Sequence, residues 1–215
     1  MTFGDLFDRA AAASRSGAVD ADGVDGAVDA SDIDDALDAV RSGPRDDDGP
    51  TASAPRDGAP TRVVADADVL AADLLVGGDA RSALDVLRAH AWTTLVASDA
   101  LLDDAETVVA SLADATLAAD WREAVDGWRD PVAHPAGDNP ALASAYRGGA
   151  MQVVSRDPAL TGPRAAAGLR GRFPVSVREP TAFAAVFDPA TLYPDAVGGE
   201  YPGPDRDPRT LEPVG

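Results

Sequence analysis

Between residues 62 and 187, short runs of apolar and β-branched residues alternate with stretches of helical periodicity, and this alternation restricts the possible folds more than any other feature. The runs at 62–65, 93–97, 151–155 and 175–177 are short and apolar, as expected for strands buried on both faces. Helical spacing occupies 80–89, 99–112, 116–129, 141–147, 164–169 and 181–187, and a further apolar run, 69–76, follows the first strand. In 116–129, Leu117, Trp121, Ala124, Val125 and Trp128 share one face, which assigns both tryptophans to the core. Strands alternating with helices pack as a central parallel sheet, so the expected fold is a three-layer α/β/α sandwich.

The flanks differ in composition. Residues 1–42 form an acidic arm with helical patterns at 3–13 and 31–41, the second with Ser31 placed to cap and Ile33, Leu37 and Val40 on one face. Neither helix has enough apolar surface to fold alone. Residues 43–60 have the Gly, Pro, Asp and Ser content of a disordered linker, and 188–215, rich in proline and acid, reads as a flexible tail. No stretch reaches the roughly 18 apolar residues of a membrane span, and the first 15 residues lack the pattern of a signal peptide, so the expected location is the cytoplasm.

Charge and composition narrow the chemistry. The net charge is −19, all 18 basic residues are arginine, and 32 of the 37 acids are aspartate, a composition that looks halophilic. At molar ionic strength the Debye length falls to about 3 Å, so this acidity does not exclude a nucleic-acid ligand. With no cysteine and only His90 and His134, zinc-thiolate and histidine-rich sites are excluded, and any metal must sit on oxygens. Residues 141–187 are locally basic, carrying Arg147, Arg156, Arg164, Arg170, Arg172 and Arg178 against Asp157 and Glu179. Such a run is either a solvated face or a phosphate track.

Ligands of parallel sheets collect at the carboxyl ends of the strands, and each of these ends carries an acid. Asp66 and Asp68 follow the first strand. Asp99, Asp103, Asp104 and Glu106 lie on the helix after the second, Asp138 and Asn139 precede the helix at 141, and Ser155-Arg156-Asp157 closes the strand at 151. Some of these have simpler roles: Asp138 or Asn139 suits a helix cap ahead of Pro140, and Asp99 a first-turn acid. With Leu101, Ala105, Val108 and Leu112 buried, Asp104 and Glu106 flank that stripe on opposite sides and Asp103 faces water.

The runs Arg62-Val-Val-Ala-Asp66-Ala-Asp68, Ser98-Asp-Ala-Leu-Leu-Asp-Asp104-Ala-Glu, Gly137-Asp138-Asn139-Pro, Gly149-Ala-Met-Gln-Val-Val-Ser155-Arg-Asp157 and Val177-Arg-Glu-Pro-Thr-Ala-Phe183, in this order, resemble the PIN-domain nucleases over residues 61–187. The resemblance implies a PIN-like domain that cleaves RNA. Its four acids would be Asp66, Asp104, Asp138 and Asp157, with Ser155 in the family's Thr/Ser place and Asp68 and Asn139 in support. Asp66, Asp138 and Asp157 would bind Mg²⁺ or Mn²⁺, Asp104 would orient the attacking water or a second ion, and Arg147, Arg156, Arg164, Arg170 and Arg172 would hold the RNA backbone. Converging carboxylates need such a cation, and a hard divalent ion can activate water for attack on a phosphodiester. A homodimer, or an antitoxin or other protein partner, also accords with the family. The sequence departs from it at Ala67 and Asp68, where Thr and Asn are usual, and at Asp104, where Glu is usual. These departures favour the alternative of a degenerate module that binds RNA or protein without cutting. Asp66-Ala-Asp68-Val also fits the nucleophile loop of haloacid-dehalogenase phosphatases, but their lysine has no counterpart here.

Overall fold

The structure, a computed structural model, describes residues 1–17, 27–43, 51–169 and 174–214. Two helices, α1 (Phe3–Gly17) and α2 (Ala30–Ser42), precede the first strand. The chain then runs β1 (Ala59–Ala65), α3 (Ala67–Leu75), α4 (Gly78–Arg88), β2 (Thr94–Ser98), α5 (Asp99–Leu112), α6 (Ala115–Asp126) and β3 (Asp130–Val132). It continues through α7 (Pro140–Gly148), β4 (Ala150–Val154), α8 (Pro158–Thr161), α9 (Pro163–Leu169), β5 (Ser176–Arg178), α10 (Pro180–Val186) and α11 (Pro189–Ala196). All strand pairs are parallel, in the order β3-β2-β1-β4-β5, so the fold is the expected α/β type with helices flanking one central sheet.

Burial explains why these segments become strands. Val63, Val64 and Ala65 of β1, Leu95, Val96 and Ala97 of β2, and Val153 and Val154 of β4 are all completely buried, which requires cover on both sheet faces. From β1 the chain moves through β2 to β3, then crosses back to β4 and on to β5; right-handed crossovers put the return helix, α7, on the opposite face. There α7 lies against β1, β2 and β4, so closely that a Cβ on Gly148 would come within 2.3 Å of the Val96 side chain. At Gly149 the chain turns into β4 with φ +67°, and a Cβ would lie 2.2 Å from the Asp57 carbonyl oxygen. Glycine alone satisfies both demands.

The N-terminal helices pack on the domain, α1 over α3 and α6, and α2 over α3 and α5. Asp29 rather than Ser31 caps α2, in a capping box with Asp32. Beneath α1, Arg88 and Asp73 form an ion pair in which both side chains are 1% exposed. The guanidinium carbon of Arg88 lies 4.4 Å from the Phe3 ring centroid and 4.9 Å from that of Trp128. Trp121 is buried as expected, while Trp128 is half-buried at the edge of this cluster.

Two flanking expectations are corrected. Of residues 43–60, 44–50 lie outside the described residues, but 51–58 follow the domain surface, with Ser53 N–H bonded to Ala133 O at 2.9 Å and Arg56 N–H to Arg147 O at 3.2 Å. Residues 188–214 are not loose. Tyr201 Oη lies 2.6 Å from His90 Nε2, the rings of His90, Trp92, Tyr193 and Tyr201 touch in sequence, and Asp205 N–H donates to Ala89 O at 3.0 Å. The aromatic contacts supply the burial that the tail's own composition lacks. Among the described residues no helix is long and apolar enough to cross a membrane.

Candidate functional site

The neighbours of β1 lead away from it in opposite directions, so its carboxyl end opens at the point where ligands of parallel sheets bind. Ala65 pairs with Val154, and this register sets Asp66 beside Ser155. Asp66 is fully buried; its N–H extends the ladder to Val154 O at 2.8 Å, and its side chain caps α3 by accepting from Ala67 N–H at 2.8 Å. Asp68, in the first turn of α3 and also buried, accepts from Val69 N–H at 2.6 Å and from Arg156 N–H at 2.7 Å. Ser155 Oγ donates to Asp66 Oδ2 at 3.0 Å, lies 3.4 Å from Asp68 Oδ2, and accepts from Asp157 N–H at 3.1 Å.

The third carboxylate comes from α5. Asp104 is buried, whereas Arg122 of α6 pairs with Asp99 at 3.2 Å, Asp103 at 2.5 Å and Glu106 at 3.4 Å. That division selects which flank of α5 meets the site. Among the described residues the cation there is Arg41, from the last turn of α2: Nη2 lies 2.6 Å from Asp66 Oδ1 and Nε 3.5 Å from Asp104 Oδ2, with the side chain 20% exposed.

Among the described residues, the Arg41 guanidinium faces these acids. Burial and the neighbouring charge of Asp66 push the Asp68 carboxyl up to about 8, so it is largely protonated at neutral pH. Burial alone would lower the pKa of Arg41, but the charges of Asp66, Asp104 and Asp68 more than reverse this and hold it above the ordinary arginine value.

The remaining expected residues behave differently. Asp138 is exposed in the turn before α7, and Asn139 is the cap of that helix, accepting from Leu142 N–H at 3.0 Å. Asp157 caps α8 through Ala159 N–H at 2.7 Å. Among the described residues no three His, Asp or Glu side chains form a group arranged to hold a metal ion, so the expected set of Asp66, Asp138 and Asp157 is not assembled. The physical reason is that Arg41 neutralises Asp66 while capping engages the Asp157 side chain. The basic track is also broken up. Arg147 braces Ser53 O at 2.9 Å, Arg156 reaches Asp34 at 3.1 Å, Arg164 is exposed, and Arg170 and Arg172 lie outside the described residues.

Two residues of this region carry no expectation from the sequence. Arg41 is the one basic residue in an otherwise acidic α2, which was the available signal. His134, buried after β3, lies 3.0 Å from Ser98 Oγ through Nε2 and 2.9 Å from Pro135 O through Nδ1. The carbonyl requires a proton on Nδ1, so Nε2 accepts from the hydroxyl that caps α5, and the pair braces the carboxyl end of β2.

Comparison with curated proteins and with solved structures gave no match. Residues 57–209, which include all five strands and most of the C-terminal segment, match the Family of unknown function (DUF7384), and the chain belongs to that family.

Proposed function

We propose that this protein is a divalent-metal-dependent endoribonuclease of PIN-like type, with Asp66, Asp68 and Asp104 as its carboxylates. The observation that carries this reading is the convergence of these three acids and Ser155 at the carboxyl edge of the sheet, where Arg41 also meets Asp66 and Asp104. The donor set is entirely oxygen, which suits a hard cation. Mg²⁺ or Mn²⁺ held by Asp66 and Asp104 would supply an activated water and neutralise charge on the leaving oxygen. Ser155 fixes the orientation of Asp66 through its proton and is itself aligned by the Asp157 amide. Arg156, whose N–H bonds Asp68, also borders a cavity of about 400 Å³ lined by Gly77, Asp79 and Thr181. Cytoplasmic location and RNA as substrate belong to the same proposal.

The test is cleavage of a structured RNA by purified protein in molar KCl with Mn²⁺. Wild type should cut, chelation should stop it, and Asp66→Asn should lose about 100-fold or more. Equal inertness of wild type and Asp66→Asn would remove the nuclease reading. It would leave the second reading, a non-cutting module in which Arg41 permanently takes the cation's place, a reading favoured by the 2.6 Å Arg41–Asp66 pair.

A further inference from the structure

We propose that residues 204–214 form a strap, pinned by Leu211, that swings off the domain as one unit about Gly203 and opens the amino end of the sheet. This device lies at the opposite end of the sheet from the acids and does not depend on the metal-dependent reading. Leu211 sits between a hollow of about 250 Å³, lined by Phe3, Asp120 and Glu123, and one of about 390 Å³, lined by Trp128 and by Thr94 and Asp130, the first residues of β2 and β3. Leu211 and Gly127 border both, so withdrawing the leucine makes them one groove past Gly127. The Leu211 side chain packs on the core, yet its backbone is left-handed, with φ +57°, the one such case at a non-glycine among the described residues. Leucine takes this conformation rarely and at a cost, so its inserted side chain is what keeps the turn in place.

The rest of the strap is lightly held. Asp205 N–H and Arg206 N–H share the Ala89 carbonyl at 3.0 and 3.1 Å, and Asp205 Oδ1 accepts from Ala91 N–H at 2.7 Å. Farther along, Gly4 N–H donates to Arg209 O, and Arg209 pairs with Asp8 in an exposed contact that molar salt screens. Within the strap, Asp207 N–H donates to Glu212 O at 2.8 Å and Val214 N–H to Asp205 O at 3.0 Å, so it moves without losing its own bonds. No residue from 201 to 214 is buried, and segments with so few buried contacts open well below the cost of global unfolding. Gly203 has φ +99° and open space where a side chain would stand, so nothing packed there resists rotation. Tyr201, two residues earlier, stays fixed on His90 and gives the hinge a firm base.

The experiment locks the strap in the full chain. The sequence contains no cysteine, and a Cβ on Gly4 would lie 3.3 Å from the Arg209 Cβ, close to the roughly 3.5–4.5 Å span of a disulfide. Gly4→Cys/Arg209→Cys therefore ties the strap down at one point, while amide exchange, followed by NMR in molar KCl, reads another at Ala91, whose N–H bonds Asp205. In wild type and in the reduced double variant, Ala91 should exchange at least about 100-fold faster than the amides of β1 and β4, and oxidation should slow it about tenfold or more. Leu211→Ala, which removes the pin but keeps the left-handed backbone, should speed Ala91 and Gly4 exchange about tenfold and serves if the cysteine pair does not fold. Leu211→Gly, which relieves the backbone, should exchange about fivefold more slowly than Leu211→Ala. Ala91 exchange as slow as that of the strands in wild type, or unmoved by oxidation, would overturn the strap. A Leu211→Ala variant no faster than wild type would overturn Leu211 as its pin.

Discussion

Replacing Arg88 with methionine tests whether the N-terminal arm is held by the buried pair beneath it. Arg88 and Asp73 meet through two hydrogen bonds, the Nη1–Oδ1 contact at 3.1 Å, with both side chains excluded from water. Methionine keeps much of the volume but leaves the Asp73 carboxylate buried without its partner, a loss of about 3–5 kcal/mol. The cation also leaves the faces of Phe3 and Trp128, which adds about 1 kcal/mol. Arg81, with Nε 3.6 Å from Asp73 Oδ1, recovers part of this, so the net loss should be about 3 kcal/mol. For a chain of this length that corresponds to a fall in Tm of roughly 6–12 °C. Differential scanning calorimetry in molar KCl reads the shift, and the pair Arg88→Met/Asp73→Leu should regain most of it, because both charges are then gone. A loss under about 2 °C for the single variant, or a double variant no more stable than the single, would refute the reasoning.

Asp68 predicts a pH dependence. Its carboxyl is raised from 3.8 to about 8 in the folded protein, so the native state binds a proton more tightly than the unfolded chain. The resulting stabilisation is complete below about pH 4 and is lost as pH rises through 8, on the order of 5 kcal/mol in all. Urea midpoints at pH 5 and pH 8 should therefore differ more in wild type than in Asp68→Asn, and equal slopes would contradict the assignment. Gly149→Ala should cost about 2 kcal/mol or more in urea unfolding, from the left-handed backbone and the Asp57 carbonyl; a cost near zero would mean the turn relaxes freely. Tyr201→Phe should lower stability by about 1 kcal/mol by removing the hydrogen bond to His90, and an unchanged Tm would show that the rings alone hold the tail.

The sheet was legible because its strands are buried on both faces, and continuous apolar runs such as 93–97 and 151–155 carry that signal. Helix α5 was legible to the residue, since Ser98 is both strand end and cap. Strand β3 was not, for it is three residues long and contains Pro131, which an edge strand tolerates. Helix α11 was hidden by Pro194 within it, and its stability comes from rings contributed by residues a hundred positions earlier. At the site, convergence of strand ends in a parallel sheet pointed to Asp66, and the resemblance to PIN-domain nucleases joined Asp104 and Ser155 to it. It read Asp138 and Asp157 as members of the same group, although loop geometry left the first in solvent and made the second a cap. Arg41 stood out in acidic α2, but its partners were not legible, for nothing local to α2 says which acids it will meet.

Hydrogen bonds join the two ends of the described chain. Gly4 N–H donates to Arg209 O at 2.9 Å, and the Arg209 guanidinium returns to Gly4 O at 3.2 Å and Asp8 at 3.0 Å. First helix and final segment are thus stitched to each other, with α1 lying over α3 and α6, and they should open as one cooperative unit. Trimming a few residues from either extremity would slacken the opposite one, so deletion variants made to isolate the domain would lose more than the residues removed.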